Sequence, residues 1–274
     1  MSGPLHDFAN LPTRLEPAAR ELARAYLSRQ RGAILLHAPG LGGGMLARRV
    51  QTLARLTEHQ RRWIAIEHAC LIHAGIGDHR VGSGDPFRAP HHTVSADAMT
   101  GKWSRAHLPQ CLTPRTPRCV CGLSPPTRDG GVRVSRAGEC DLARFGVIHL
   151  SEITEFRRSV LEATAHRLTA MGETAPFIVA TDKPCLCGYG APAPAGSTWW
   201  PPCTCSPEAL AMYRQRVQRH AAILGIPWAP ITLESPERGE YTNPGPRCAS
   251  SATIRRETVA DLQRVALRVD AVSA

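Results

Sequence analysis

Four cysteines in two closely spaced pairs are the residues of this chain best suited to hold a metal ion. Cys185 and Cys187 form one CxC pair, and Cys203 and Cys205 form a second pair after an intervening loop. Four thiolates that converge can close a tetrahedral Zn²⁺ site, although CxxC pairs are the more usual spacing in structural zinc sites. The pattern therefore favours a zinc knuckle that spans residues 185–205. Four reduced cysteines in a loop are the alternative.

A second group of cysteines has less regular spacing and consists of Cys111, Cys119, Cys121 and Cys140. The group could supply another metal site, with Cys119-x-Cys121 at its centre. Most of it lies in residues 103–135, which are rich in Pro, Arg and Cys and are predicted to be irregular. We favour free thiols for this group and keep a second metal site as the alternative.

A glycine-rich stretch near the N-terminus has the layout of a phosphate-binding loop. The apolar run Ala33–Leu36 predicts a buried strand, residues 38–44 (APGLGGG) follow it, and residues 45–51 have a helical pattern. Strand, glycine loop and helix in that order surround a phosphate with backbone N–H groups and the positive end of the helix. The residues predicted to contact the phosphate are Pro39, Gly40, Gly42, Gly43 and Gly44.

The glycine loop, defined here as residues 37–44, lacks the side chains on which ATP hydrolysis depends. In the pattern G-x-x-x-x-G-K-[ST], the lysine neutralises the β and γ phosphates and the hydroxyl binds Mg²⁺. Here the lysine position is Gly43 and the hydroxyl position is Gly44. Consecutive glycines can still form a nest for an anion, but that nest has no cation to assist phosphoryl transfer.

The elements that must position these residues alternate along the chain as in a parallel α/β sheet. Apolar runs predict further strands at residues 146–150 and 176–181, with a helix from Glu155 to about residue 170 between them. The remaining predicted elements are helices at residues 11–30, 207–226 and 252–272 and a loop at residues 190–202.

Composition and charge narrow the possible function classes. The 274 residues are 43% hydrophobic without an apolar run that could span a membrane, and no secretory signal begins the sequence, so we expect a cytoplasmic protein with reduced thiols. The net charge of +10 comes almost entirely from arginine, because Lys102 and Lys183 are the only lysines. This excess fits phosphate-backbone binding and an arginine-biased composition equally well.

Several sequence runs together carry a family resemblance. They are Pro86–Thr93 (PFRAPHHT), Ala137–Glu139 (AGE), Glu155–Ala163 (EFRRSVLEA), Pro184–Tyr189 (PCLCGY), Cys203–Glu208 (CTCSPE), Tyr213–Arg216 (YRQR) and Ser250–Arg255 (SSATIR). By these runs the chain resembles the magnesium-chelatase-like AAA+ ATPases of the ComM (YifB) type, which are linked to DNA processing during natural transformation. In that family a further domain precedes the ATPase module, and from the resemblance we expect this chain to be a short form without that domain.

The resemblance implies where nucleotide-handling residues should lie, and several of them differ in this chain. The family's Leu-Asp-Glu strand end is Leu150–Glu152 here, so Glu152 remains for the attacking water while Ser151 replaces the aspartate that holds Mg²⁺. Lys183 occupies the position of an asparagine that helps to position the water, and Arg255 matches a C-terminal arginine of the nucleotide site. An arginine expected to act across a subunit boundary is missing near residues 223–226.

These differences imply an ATPase fold with degenerate nucleotide motifs. We therefore expect a pseudo-ATPase in which Glu152 alone is insufficient for catalysis, because each missing charge removes stabilisation of the transition state. The alternative is weak ATP binding or slow hydrolysis with Mg²⁺, in which Lys183 or an arginine replaces the missing lysine.

The sequence as a whole predicts an α/β fold: a P-loop AAA+-type parallel sheet flanked by helices, with a small C-terminal helical lid and a zinc knuckle. We place the core in residues 1–205 and the lid in residues 206–274. Function is expected through binding to DNA or to an oligomeric partner, either another copy or an intact paralogue, and no membrane contact is expected. The arginine-rich segment Tyr213–Arg219 could face a phosphate backbone or be an ordinary solvated surface. A zinc-stabilised module without a nucleotide role is a further alternative.

Overall fold

The computed structural model describes residues 7–73, 86–106, 132–190, 201–233 and 248–273. Its helices are α1 (Glu16–Leu27), α2 (Gly43–Val50), α3 (Glu58–His73), α4 (Ala96–Thr100), α5 (Glu139–Leu142), α6 (Arg158–Met171), α7 (Pro207–Ile223) and α8 (Ser251–Ser273). Its strands are β1 (Gly32–Leu36), β2 (Phe87–Arg88), β3 (Lys102–Ala106), β4 (Val132–Arg136), β5 (Val147–Ser151), β6 (Phe177–Asp182) and β7 (Ile231–Thr232). Among the described helices, none has the length and apolar character needed to cross a membrane.

Five parallel strands form the central sheet, in the order β2-β5-β6-β1-β7. β1 lies between β6 and β7, with Leu36 opposite Asp182 on one side and Thr232 on the other. β5 pairs with β6 so that Ser151 is opposite Thr181. The carboxyl ends of β1, β5 and β6 therefore share one edge of the sheet, which brings together the segments that follow them. The arrangement is the expected α/β sheet flanked by helices and is consistent with an AAA+-type fold.

Strand β1 is buried on both of its faces because helices cover the sheet from both sides. Ala33 and Leu35 pack in a cluster with residues of α1, α2 and α8, whereas Ile34 and Leu36 pack in a second cluster with α4, α6 and α7. Alternate residues of a strand face opposite sides of a sheet, so a continuous apolar run is what a doubly covered strand requires. The core is therefore a three-layer α/β/α arrangement with the sheet in the middle.

The long elements predicted from the sequence are confirmed, with shifted ends. The helix predicted for residues 11–30 begins with a 3₁₀ turn at Thr13–Leu15, and α1 follows it. The helix predicted from Glu155 begins at Arg158, because Ile153–Glu155 form a separate 3₁₀ turn and the chain is extended before α6. The predicted strands differ from β1, β5 and β6 by one residue at their starts or ends.

The prediction of an irregular segment at residues 103–135 is wrong at both of its ends. β3 and β4 form an antiparallel pair with Trp103 opposite Ser135. The proline- and cysteine-rich residues lie between the two strands, so composition taken over the whole segment concealed them. Residues 107–131, which include Cys111, Cys119 and Cys121, lie outside the described residues.

Residues after position 205 contribute to the sheet as well as to helices. α7 packs Tyr213 and Val217 into the apolar cluster on one face of the sheet, and β7 pairs with β1. α8 packs beside α1, where Arg20 lies 2.6 Å from a carboxylate oxygen of Glu257. The division into a core and a lid at residue 205 stays a prediction.

Candidate nucleotide site and metal centre

The glycine loop leaves the end of β1 and enters α2 through two residues with left-handed backbone conformation. Gly40 has a φ of 80°, and Gly42, which precedes α2, has a φ of 94°. Side chains of L-amino acids are strained in that region, so both turns favour glycine. The loop thus directs the amino end of α2, with its free N–H groups and partial positive charge, toward the carboxyl edge of the sheet.

The imidazole of His37 fills the space in which a side chain at position 43 would lie. A Cβ atom added to Gly43 would overlap His37 Nε2 and Cδ2 and would lie 3.0 Å from Cε1. The ring is held by a 2.8 Å hydrogen bond from Nδ1 to the carbonyl oxygen of Ala38. A lysine at position 43 is incompatible with the ring in this orientation.

His37 occupies the space of the missing lysine side chain without supplying its charge. Burial lowers the pKa of His37, while the hydrogen bond to Ala38 and the charge of Asp182 act in the opposite direction. Beside Gly44, where an added Cβ would lie 3.4 Å from His149 Cε1, burial followed by the influence of His37 lowers the pKa of His149 to about 4. Two neutral imidazoles therefore line the loop where ATP phosphates would need a cation.

Glu152 and Lys183, both predicted for the nucleotide site, form an ion pair with each other. Lys183 Nζ lies 3.3 Å from Glu152 Oε1, and each side chain is 42% exposed. Ser151, which ends β5 immediately before Glu152, is exposed and offers a hydroxyl in place of a carboxylate. The carboxylate that would polarise an attacking water is thus partnered by the ammonium group of Lys183.

Asp182 is a buried carboxylate at the same edge that the sequence motifs did not single out. Its Oδ2 accepts a 2.8 Å hydrogen bond from the backbone N–H of Thr154, and its Oδ1 accepts one of 2.8 Å from the N–H of Lys183. The hydroxyl of Tyr213 on α7 also donates to Oδ1, and burial followed by Asp182 raises the pKa of that tyrosine. Asp182 therefore joins β6, α7 and the segment after β5, and it does not replace the missing Mg²⁺ ligand. Taken together, the residues at this edge do not fit Mg-ATP.

The four predicted metal ligands converge into a compact group, termed here the cysteine cluster. The Sγ atoms of Cys185, Cys187, Cys203 and Cys205 all lie within 4.8 Å of one another. Sulfur ligands of a tetrahedral zinc ion lie roughly 3.8 Å apart, given Zn–S bonds of about 2.3 Å. Here the Sγ atom of Cys185 lies 3.7 Å from that of Cys203 and 3.2 Å from that of Cys187. The donor set and its geometry fit a metal ion that prefers thiolates.

The thiols of the cysteine cluster differ in their readiness to ionise. A hydrogen bond from the backbone of Tyr189, followed by one from Cys185, lowers the pKa of Cys187 to about 6. Burial raises the pKa of Cys185 to about 12. Because a metal binds thiolates and displaces their protons, a cluster with one thiol already ionised near neutral pH is suited to begin that exchange.

Gly188 and Gly190, which follow Cys187 along the chain, make close approaches to the glycine loop and to the cysteine cluster, respectively. Gly188 has a φ of 88°, and a Cβ atom added there would lie 3.3 Å from Pro39 Cδ. A Cβ atom added to Gly190 would lie 2.9 Å from Cys185 Sγ, so this close approach requires glycine as well. The structure thus brings the glycine loop, the Glu152–Lys183 pair and the cysteine cluster together at one edge of the sheet.

Two residues considered for site roles lie elsewhere. Arg255 donates a 2.6 Å hydrogen bond to the carbonyl oxygen of Leu53, beyond the end of α2 that is remote from the glycine loop, and the structure does not bring it to that loop. Cys140 lies in the apolar core, where burial raises the pKa of its thiol to about 12.

The arginine-rich helix α7 divides its arginines between two roles. Arg216 donates a 2.7 Å hydrogen bond to the carbonyl oxygen of Thr154, which anchors the helix to the segment after β5. Arg214 and Arg219 are exposed. Arg216 is exposed as well, so all three arginines of the predicted DNA-facing segment lie at the surface and one of them also anchors the helix.

Known proteins are similar in sequence to this chain over most of its length. The family described as magnesium chelatase, subunit ChlI, matches residues 17–110. The uncharacterized protein YifB of Salmonella typhimurium is 25% identical over 244 residues, which is 84% of this chain and 40% of the relative. The competence protein ComM of Haemophilus influenzae is 26% identical over 247 residues, again 84% of this chain and 40% of the relative. The chain thus spans about 40% of the length of these curated relatives.

Proposed function

We propose that this chain, which is similar in sequence to magnesium-chelatase-like proteins of the ComM and YifB type, is a pseudo-ATPase that works by binding. In this proposal the AAA+-type core serves as a scaffold for DNA or for an oligomeric partner in the cytoplasm. The relative from Haemophilus influenzae is named a competence protein, which supports a DNA-related role for this chain as well.

The observation that carries the proposal is the ring of His37 over Gly43. Phosphoryl transfer depends on a cation at the transferring phosphate, and a neutral ring in that space supplies none. The ion pair between Lys183 and Glu152 supports the same conclusion, since it partners the two charged groups that a weak ATPase would have to use. This ion pair favours the pseudo-ATPase over the alternative of slow hydrolysis.

A hydrolysis assay with a matched variant tests the proposal. Phosphate release from Mg-ATP should stay at the blank rate for the wild-type protein and for Glu152→Gln alike, because Glu152 is not part of a working site. Turnover by the wild-type protein that Glu152→Gln abolishes would show that the site is catalytic and would overturn the proposal.

We also propose that the metal in the cysteine cluster is zinc and that its role is structural. All four positions of a tetrahedral ion would be filled by protein thiolates, which leaves none open for a catalytic water. Metal analysis of protein purified without added metal should find about one zinc per chain. Protein without metal, in which all four thiols react with a thiol reagent, would contradict this.

A further inference from the structure

A cleft of about 580 Å³ opens at the edge of the sheet opposite to the glycine loop. It lies at the amino ends of the strands, because Arg31 precedes β1, Gly146 precedes β5 and Phe177 begins β6. β1 alone separates this cleft from the glycine loop by about 16 Å, at roughly 3.3 Å per residue. Ligands of open α/β sheets ordinarily bind at the carboxyl ends of the strands, so the fold by itself does not account for this cleft.

Three arginines and one glutamate give the lining of the cleft a net positive charge. Arg29, Arg31 and Arg55 line it, and Glu173 is the one acidic residue among its lining residues. Within the described ranges, none of the three guanidinium groups has a salt bridge. Other arginines of the chain, such as Arg20, are neutralised by carboxylates. We call the group of three and its surroundings the arginine cleft.

Neutral hydrogen-bond donors also line the arginine cleft, and the backbone beside them is held by hydrogen bonds. Gln30, Gln60 and Tyr26 also line it, and burial raises the pKa of Tyr26 so that its hydroxyl stays protonated. Arg29 holds a left-handed backbone with a φ of 56°, and its N–H donates to the carbonyl oxygen of Tyr26 at 3.1 Å. The N–H of Gln30 donates to the carbonyl oxygen of Ala25 at 3.2 Å, so Arg29 is the left-handed residue of an ordinary C-cap after α1, which fixes the backbone of both residues beside the cleft.

We propose that the arginine cleft binds the phosphate groups of single-stranded nucleic acid. Guanidinium groups match phosphate oxygens in pairs, and the amide and hydroxyl donors around them suit a group with several acceptor oxygens. The inference rests on the proposed binding role of the chain and names its surface: the strand crosses the amino edge of the sheet, and the glycine loop takes no part.

The test is fluorescence polarisation of a labelled oligothymidylate with the zinc-loaded protein of 274 residues and two charge-matched double variants. Arg31→Gln/Arg55→Gln should weaken binding at least about tenfold and reduce the salt slope by about 1.4, at roughly 0.7 for each phosphate that is no longer neutralised. Arg214→Gln/Arg219→Gln on α7 removes the same charge and should change the affinity less than about twofold. Equal losses in both variants, or the larger loss in the α7 variant, overturn the arginine cleft as the binding surface.

Two further outcomes separate the possible failures. If the wild-type protein does not bind the oligonucleotide even at low salt, the DNA-binding role itself fails. If a polyglutamate peptide competes as well as unlabelled oligonucleotide does, the cleft recognises acidic chains in general and phosphate recognition is wrong. Thermal melting of both variants near the wild-type temperature excludes unfolding as the cause of any weakened binding.

Discussion

The glycine loop and the segment that carries the cysteine cluster are neighbours, because Gly188 approaches Pro39, yet the two candidate sites differ in how many of their site side chains are present. The loop has the backbone of a phosphate site, with left-handed turns at Gly40 and Gly42, but its key side-chain position is filled by the ring of His37. The cysteine cluster has all four of its ligands within 4.8 Å of one another. The glycine loop therefore has the backbone conformation of a phosphate site without the side chains that phosphoryl transfer needs. This is expected when function depends on a few side chains carried by a fold.

The packing of Pro39 against Gly188 suggests why the loop keeps its shape. The same turn connects β1 to α2, whose apolar side chains pack with those of β1 in one core cluster, so the turn has a structural role without a bound phosphate. Four predictions test this contrast between a scaffold loop and a candidate metal centre.

The largest effect is expected from Cys185→Ser, which removes a buried ligand of the cysteine cluster. Loss of the metal and of the packing on the glycine loop should cost about 3–4 kcal/mol of unfolding free energy and lower Tm by roughly 10 °C. Zinc content and thermal melting measure both. The control is Cys248→Ser. In the wild-type protein the thiol of Cys248 lies outside the cluster and donates to the carbonyl oxygen of Pro12. Equal metal content in the two variants would contradict the assignment.

A pH effect is expected from the buried imidazole beside the glycine loop. The pKa of His149 is lowered to about 4 in the folded chain, whereas the unfolded chain takes up that proton near pH 6.5. The contribution of neutral His149 to the unfolding free energy is fully present above pH 6.5 and is lost as the pH falls toward 4. The loss amounts to about 2 kcal/mol between pH 7 and pH 5. Urea unfolding at both pH values measures it. His149→Gln should reduce the pH dependence by that amount, and an unchanged dependence would refute the role of His149.

A smaller effect is expected from a methyl group at position 43. Gly43→Ala should cost about 1.5 kcal/mol in the wild-type chain, because the new Cβ overlaps the ring of His37. In the His37→Gly background the same change should be neutral or slightly stabilising, since alanine favours helix. A double-mutant cycle by urea unfolding isolates the coupling. Additive costs would mean that the ring does not fill the space.

The smallest effect is expected from Glu152→Gln. In its ion pair with Lys183, each of the two side chains is 42% exposed. The change in unfolding free energy should therefore stay below about 0.5 kcal/mol. A loss of several kcal/mol by the same unfolding assay would mean that the pair is a structural requirement of this edge, and the contrast with the cysteine cluster would weaken.

The sequence predicted those features that local pattern determines. Apolar runs identified β1, β5 and β6 because a strand covered on both faces has no polar alternation, and the CxC spacing predicted the cysteine cluster. The glycine positions predicted the loop because few residues other than glycine adopt a left-handed backbone without strain.

The features that were missed depend on packing between distant segments. β2 and β7 are two residues long and are strands only through their neighbours, so they carry no periodicity. The roles of His37 and Asp182 follow from where a ring and a carboxylate point, which spacing does not reveal. The arginine cleft combines residues from several separated segments, so no single motif could announce it.

Calorimetric titration of Mg-ATP, with ADP in parallel, into the zinc-loaded wild-type protein tests directly whether the glycine loop binds nucleotide. We expect no binding heat at millimolar nucleotide, and we expect His37→Gly/Gly43→Lys to gain measurable binding because the space and the cation are then restored. Micromolar binding of Mg-ATP by the wild-type protein would refute the pseudo-ATPase, since the glycine loop would then hold phosphates despite the ring of His37.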